Sequence, residues 1–181
     1  MGIRRVVTGH NGEGKAVFAS DEVVEPITSA IVPGYEFFRL WGSDEPCRFP
    51  DSGSKPDASL YFPPVGGFRF GLFTVPPEVE AELGDVDFEA ALAEMEEKLP
   101  GMAGHMEAEN PGMHTTATVD YEFVVSGRAL LELDDGATVE VGPGDTIVQN
   151  GTRHRWQNPF DEPCRMVVVL LGAHHEAMPD P

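Results

Sequence analysis

Polar and apolar residues alternate most strictly between Met113 and Val125. There His114, Thr116, Thr118, Asp120 and Glu122 fall at period two on one face, and Val119, Tyr121, Phe123 and Val125 on the other. Further strands are predicted at Ala129 to Leu133, at Thr138 to Val141 after the Asp135-Gly136 hairpin signal, and at Thr146 to Gln149 after Pro143-Gly144-Asp145. The apolar run Met166 to Leu171 reads as a buried strand. Earlier candidates are Ala16 to Ala19, Tyr35 to Trp41 and Phe68 to Val75. In the last of these, Phe68, Phe70 and Leu72 share one face and Arg69, Gly71 and Phe73 the other. Ser, Pro, Gly and Asp make Asp44 to Asp57 an exposed loop.

One stretch repeats with helical period. Phe88, Ala91, Leu92, Met95 and Leu99 form its apolar stripe, and Glu89, Glu94, Glu96 and Glu97 take the remaining surface. Asp87 is the expected N-cap, and Pro100-Gly101 stops the helix. Short strands joined by tight turns, with one helix among them, predict an all-β antiparallel barrel or sandwich. The inserted helix either covers the barrel mouth as a lid or packs on the outside of a sheet.

A length of 181 residues, without an internal repeat, predicts one domain. Within it, residues 1–77 supply N-terminal strands that complete the sheets, 78–111 the helical insertion, 112–172 the core and 173–181 a tail. The formal charge of -19, from 31 acidic against 12 basic residues, opposes phosphate backbones and anionic lipid and excludes nucleic acid and membrane as expected partners. Cys47 and Cys164 form no CxxC pair, and the opening MGIRRVVTGHNGEGK lacks the apolar stretch of a secretory signal. The reading is a cytoplasmic protein with reduced thiols.

The polar face of the Met113 to Val125 run carries the candidate chemistry. On an open sheet it would look at water, whereas inside a closed barrel an imidazole and a carboxylate must be paired, hydrated or metal-bound. The segment GDTIVQNGTRHRWQN sends His154, Trp156 and Asn158 to one face just after the Gly151-Thr152 turn. Two functional sets, distant in sequence, are thereby available to one pocket. No GxSxG, P-loop or dinucleotide fingerprint occurs, so no organic cofactor is expected.

Residues Gly112 to Asn158 resemble the two motifs of the cupin superfamily, separated by a short hairpin. His114 matches the first histidine of the first motif, Asp120 stands where the family has glutamate, and Gly127 is the glycine that closes it; Thr116 replaces the second histidine. In the second motif Gly144-Asp145, Gly151, His154 and Asn158 match, and Gln149 replaces a proline. The HxTxTxDY string, His114 to Tyr121, is also similar to that of small single-domain bacterial cupins.

The resemblance implies an antiparallel double-stranded β-helix, a jelly-roll barrel, with an inserted helix. It implies a divalent metal, Fe(II) foremost, held by His114, Asp120 and His154 as a two-His-one-carboxylate set, the same three residues being catalytic. Thr116, Thr118, Glu122, Trp156, Asn158 and Phe70 would line the substrate pocket. The implied activity is that of a small-molecule enzyme, an oxygenase or a decarboxylase or isomerase, on a small organic acid or phenolic substrate, in a homodimer. Arg69 and Arg153 are candidates to meet a substrate carboxylate, or surface ion-pair residues. The alternative is a metal-free cupin that binds a small ligand, or a lyase using His154 and Asp120 as acid and base. On that alternative the two histidines are hydrogen-bonded interior groups and Asn158 shapes a turn.

Overall fold

The chain forms, in order, strands β1 (Ile3–His10), β2 (Ala16–Val24), β3 (Glu36–Ser43) and β4 (Phe68–Val75), helix α1 (Phe88–Lys98), and strands β5 (Thr118–Ser126), β6 (Ala129–Glu132), β7 (Thr138–Val141), β8 (Thr146–Asn150), β9 (Arg155–Gln157) and β10 (Cys164–Gly172). This is a computed structural model, and it describes residues 1–78 and 87–178; residues 79–86 of the expected insertion and 179–181 of the expected tail lie outside the described residues. Every strand pairing is antiparallel.

Five strands assemble in the order β3-β4-β10-β5-β8, and three more in the order β7-β6-β9. The apolar inner faces of both sheets meet in one core, in which Phe37, Phe73, Val124, Met166, Val168 and Leu170 of the larger sheet join Ala129, Leu131 and Val141 of the smaller. Burial of this apolar area is what holds the two sheets together.

Register sets the inward side chains of the large sheet in rows across the strands. One row runs Arg39, Gly71, Val168, Glu122, Ile147. The neighbouring row runs Gly42, Arg69, Leu170, Asp120, Gln149. On the far side of the first row, Phe37, Phe73, Met166 and Val124 make a wholly apolar line. The barrel interior is therefore apolar towards one end and polar towards the other.

Helix α1 begins where Asp87 caps it, the carboxylate accepting from Ala90 N at 3.1 Å. Its stripe Ala91, Met95 and Leu99 is buried, and Met95, Leu99 and the following Met102 belong to the same core cluster as the inward residues of both sheets. Glu94 accepts from Ala30 N, and Lys98 donates to Thr28 O, fixing the helix beside the chain that leads into β3. The helix thus packs its buried stripe on the core that the two sheets share.

The hairpin β1–β2 lies over the outer face of the large sheet, where Ile3 and Val24 pack on Phe38, Leu40 and Leu72 and Arg5 donates to Leu40 O. Among the described residues no helix is long and apolar enough to cross a membrane.

Candidate functional site

The inner side of β5 carries Thr118, Asp120 and Glu122, at 2%, 4% and 5% exposure, while Tyr121 and Phe123 stand outside. Alternation alone produces this, since consecutive side chains point to opposite faces. Gln149 on β8 is the cross-strand neighbour of Asp120 and is equally buried. Asp120 Oδ1, Glu122 Oε2 and Gln149 Nε2 make no hydrogen bond in the structure. Buried polar atoms are nearly always partnered, so two carboxyl oxygens and an amide donor without a protein partner, close together on two paired strands, set this part of the interior apart from the apolar core.

The electrostatics of this cluster are those of carboxyls removed from water. Burial pushes Asp120 up to about 6, with the Thr118 hydroxyl pulling the other way. Burial, and then the charge of Asp120, push Glu122 up to about 8. Burial also raises the Tyr61 hydroxyl, with Arg39 opposing and Asp120 and Glu122 reinforcing the rise. Burial and Glu122 push the Cys164 thiol up to about 11. Tyr61, Arg39, Asp120, Glu122 and Cys164 thus share one electrostatic neighbourhood.

His114 and His154 form a second cluster. Each donates its backbone N–H to the other's carbonyl at 2.9 Å, and their rings lie 4.2 Å apart. His114 Nδ1 is 3.0 Å from Gly112 O, and His154 Nδ1 is 2.8 Å from Thr152 O. A carbonyl only accepts, so Nδ1 carries the proton in both rings and each Nε2 presents a lone pair. Burial lowers both pKa values, that of His154 to about 4 with the charge of His114 adding to the effect.

The two clusters do not merge into a three-ligand site. Among the described residues, no group of three or more His, Cys, Asp or Glu stands close enough to hold a metal ion. The alternation read from Met113 onwards fails at its start: β5 begins only at Thr118, and His114 has left the ladder to bridge His154 and Met106. The expected set of His114, Asp120 and His154 is therefore divided, with Asp120 beside Glu122 rather than beside the histidines.

Other expected pocket residues are placed as follows. Thr116 and Thr118 are buried and hydrogen-bonded to each other at 2.8 Å. Trp156 faces inward against Phe73, ring centroids 6.3 Å apart. Phe70 is a correction: it lies on the outer face at 39% exposure, because β4 turns Arg69, Gly71 and Phe73 inward. Asn158 is buried and spends its amide on Val75 O and Glu162 O, while its side-chain oxygen accepts from Phe160 N, so it ties the loop after β9 to the end of β4. Arg69 is neither exposed nor available, since it donates to Leu60 O, Ser43 O, Phe68 O and Asp44. Arg153 is held by Glu107 and Asp134.

Sequence reasoning passed over Gln149, Tyr61 and Arg39. Gln149 had a signal, as a polar residue at an inward position of a β-strand. Tyr61 and Arg39 had none, because one comes from a loop and the other from a strand whose inward set, Phe37, Arg39 and Gly42, is broken by a register shift after Arg39. Near Thr118 a pocket of about 50 Å³ opens, lined by Leu60, Phe62, Pro63, Gly101, His105, Ala117 and Met178.

The Cupin domain family model matches residues 103–170, which span the histidine pair, β5 and both motifs. The match identifies this stretch of the chain as similar to the cupin domain. The chain is 43% identical over 64 residues to Oryzines biosynthesis cluster protein J of Aspergillus oryzae, a match covering 35% of this chain and about a third (36%) of that protein's length. It is 28% identical over 183 residues to the cupin-domain-containing oxidoreductase virC of Hypocrea virens, covering 94% of this chain and 77% of that one. These curated relatives are fungal, where the HxTxTxDY string suggested bacterial ones. Among solved structures, the polyketide cyclase RemF of Streptomyces resistomycificus is similar with 20% identity and a TM-score of 0.44, over 81% of this chain and 72% of that one.

Proposed function

We propose that this protein is a small-molecule enzyme whose barrel interior performs proton transfer with Asp120 as base and Glu122 as acid. One observation carries the reading: two carboxyls, two residues apart on one face of β5, are buried with an oxygen each left open, and their environments hold them apart at about 6 and about 8. At neutral pH the first is largely a carboxylate and the second largely a carboxylic acid. Separated pKa values in one pocket are the arrangement that lets one group accept a proton while the other donates one.

Their α-carbons are about 6.6 Å apart along the strand, a span that a carbonyl compound a few atoms long can bridge. Asp120 takes the proton from the carbon next to a carbonyl, the freed electron pair moves into a C=C bond, and the carbonyl oxygen takes the proton of Glu122. Charge balances, since Asp120 ends neutral and Glu122 ends as the anion. Return of a proton at a different atom completes an isomerisation, and loss of a β-substituent completes an elimination. Gln149 Nε2, beside Asp120, is a donor for the oxygen that gains charge.

A second reading is an oxidoreductase with a divalent metal ion on His114 and His154. It is favoured by the two Nε2 lone pairs on rings 4.2 Å apart, and by the oxidoreductase name of the relative that matches most of the chain. The ion would supply Lewis acidity, and its remaining ligands would come from water or substrate.

The test is to incubate the small-molecule fraction of a cell extract with protein and follow what is consumed. Consumption by wild type should persist with chelator present and fall by about 10²–10⁴-fold in both Asp120→Asn and Glu122→Gln. Loss with chelator alone, with both variants fully active, rejects acid–base catalysis in favour of the second reading.

A second copy of the chain is the partner we propose, seated on the outer face of β5 and β8. There Tyr121, Phe123, Val125 and Val148 are 46–54% exposed, and no outward residue of either strand is charged, on a chain of net charge -19. Sedimentation equilibrium should give a dimer that Tyr121→Glu dissociates; a monomeric wild type rejects it.

A further inference from the structure

The asparagines of the chain are not chemically alike. Asn110 and Asn158 precede Pro111 and Pro159, whose nitrogens carry no hydrogen and cannot attack a side chain. Asn11 and Asn150 precede Gly12 and Gly151, where no side chain shields the following nitrogen. Both asparagines are exposed, and the dipeptide alone does not separate them.

Their surroundings do. Asn11 opens the turn between β1 and β2. Its side-chain oxygen accepts from Glu13 N at 3.0 Å and from Lys15 N at 2.9 Å, and its backbone carbonyl accepts from Gly14 N at 2.9 Å. The bond from Glu13 makes an Asx turn, which curls the carboxamide back over the Asn11–Gly12 peptide. Among the described residues no hydrogen bond engages the Gly12 N–H. A Cβ built on Gly12 would meet nothing within 4 Å, so this peptide stands open to water. Asn150 instead closes β8 opposite Val119 of β5, in extended backbone that sends its side chain off the sheet rather than over the next peptide. No donor among the described residues reaches its side-chain oxygen.

We propose that Asn11 is a site of spontaneous covalent modification, at which the β1–β2 turn promotes attack of Gly12 N on Asn11 Cγ. Hydroxide takes the Gly12 proton and the N–Cγ bond forms. The electron pair displaced from the C=O bond rests on Oδ1, at which the Glu13 and Lys15 N–H groups already point, as the donors of an oxyanion hole do. The double bond then re-forms, the C–NH2 bond breaks, and ammonia departs with a proton from water, which restores the hydroxide. Water opens the resulting five-membered imide at either carbonyl, so the chain loses ammonia, gains water and ends as aspartate or isoaspartate. Each product adds a negative charge to the turn. Isoaspartate also adds one backbone atom to the segment that joins His10 to its partner Ala16.

The test keeps the full folded chain in mildly alkaline buffer for weeks, beside a sample unfolded in urea. Digested peptides are weighed for the gain of one mass unit, and isoaspartate is counted by enzymatic methylation of its carboxyl group. In the folded chain Asn11 should convert at least about tenfold faster than Asn150, and in urea the two should convert alike. Gly12→Ala should slow Asn11 by about tenfold, because a side chain then crowds the attacking nitrogen. That variant folds, since the new Cβ has room and the backbone at Gly12 is not left-handed. Equal rates at Asn11 and Asn150 in the folded chain overturn the proposal, as does an Asn11 rate below its value in urea. An unchanged rate in Gly12→Ala overturns the assignment of Gly12 N as the attacking atom.

Discussion

Glu122→Gln will be more stable than wild type at alkaline pH by several kcal/mol, and close to it near pH 4.5. Glu122 titrates at about 8 in the fold, against 4.5 for the free side chain, because burial and Asp120 penalise its anion. Its folded pKa is raised, so its contribution is fully present below the unfolded value and is lost as pH rises through the folded one. Between pH 4.5 and 9 the unfolded chain releases this proton early and the folded chain late. At about 1.4 kcal/mol per unit, the penalty on wild type grows to about 3–6 kcal/mol. Glutamine has nearly the same shape and no proton to lose, so the difference between the two proteins isolates this residue. Urea denaturation at pH 5, 7 and 9 measures it, and parallel pH profiles would show that Glu122 is not buried as described. His154 acts in the opposite sense. Its folded pKa is lowered to about 4, so its contribution is present above 6.5 and lost as pH falls towards 4.

Gly127→Ala is expected to cost about 3–5 kcal/mol, among the largest losses available in this chain. Gly127 has φ +71°, in the left-handed region, where alanine is strained. A Cβ there would also stand 2.2 Å from Pro163 O and 2.8 Å from Cys164 Cα, both backbone atoms that cannot step aside. The close approach lets the turn after β5 pass beside the start of β10, the two strands that carry Asp120, Glu122, Val168 and Leu170. Thermal and urea unfolding of the variant would test it, and a cost below 1 kcal/mol would mean that the turn moves freely. The glycine was legible in the sequence as the end of the first motif; its reason, contact with a segment nearly forty residues away, was not.

The same division between local and distant causes runs through the rest of the molecule. β4 and β7 have the bounds that their sequence predicts, and β5 presents the face that alternation requires, since each of these depends on neighbours within a few residues. The outer hairpin was largely missed. β1 carries no apolar alternation and β2 is mostly exposed, so neither shows the periodicity of a half-buried strand. Which side of β4 faces inward was equally illegible. The sequence separates Phe70 from Arg69 and Gly71 correctly, but choosing the inner set needs the neighbours β3 and β10. The more apolar set lies outside because the hairpin covers part of it.

At the site, the inward polar face of β5 was read from sequence, and so was the pairing of one histidine from each motif. The expected union of those histidines with Asp120 assumed one continuous strand from Met113. The chain instead leaves the ladder before Thr118, so that His114 meets His154 through mutual backbone hydrogen bonds. Arg39 and Tyr61 join Asp120 and Glu122 only through tertiary folding.

Acid–base chemistry in this interior requires the two carboxyls to hold different protonation states at neutral pH. A carbon-13 NMR titration of the Asp and Glu side-chain carboxyls, assigned with Asp120→Asn and Glu122→Gln, should show Asp120 changing near pH 6 and Glu122 near pH 8, so that Glu122 is still an acid at pH 7. Finding both carboxyls ionised by pH 5, as they would be in water, would contradict it.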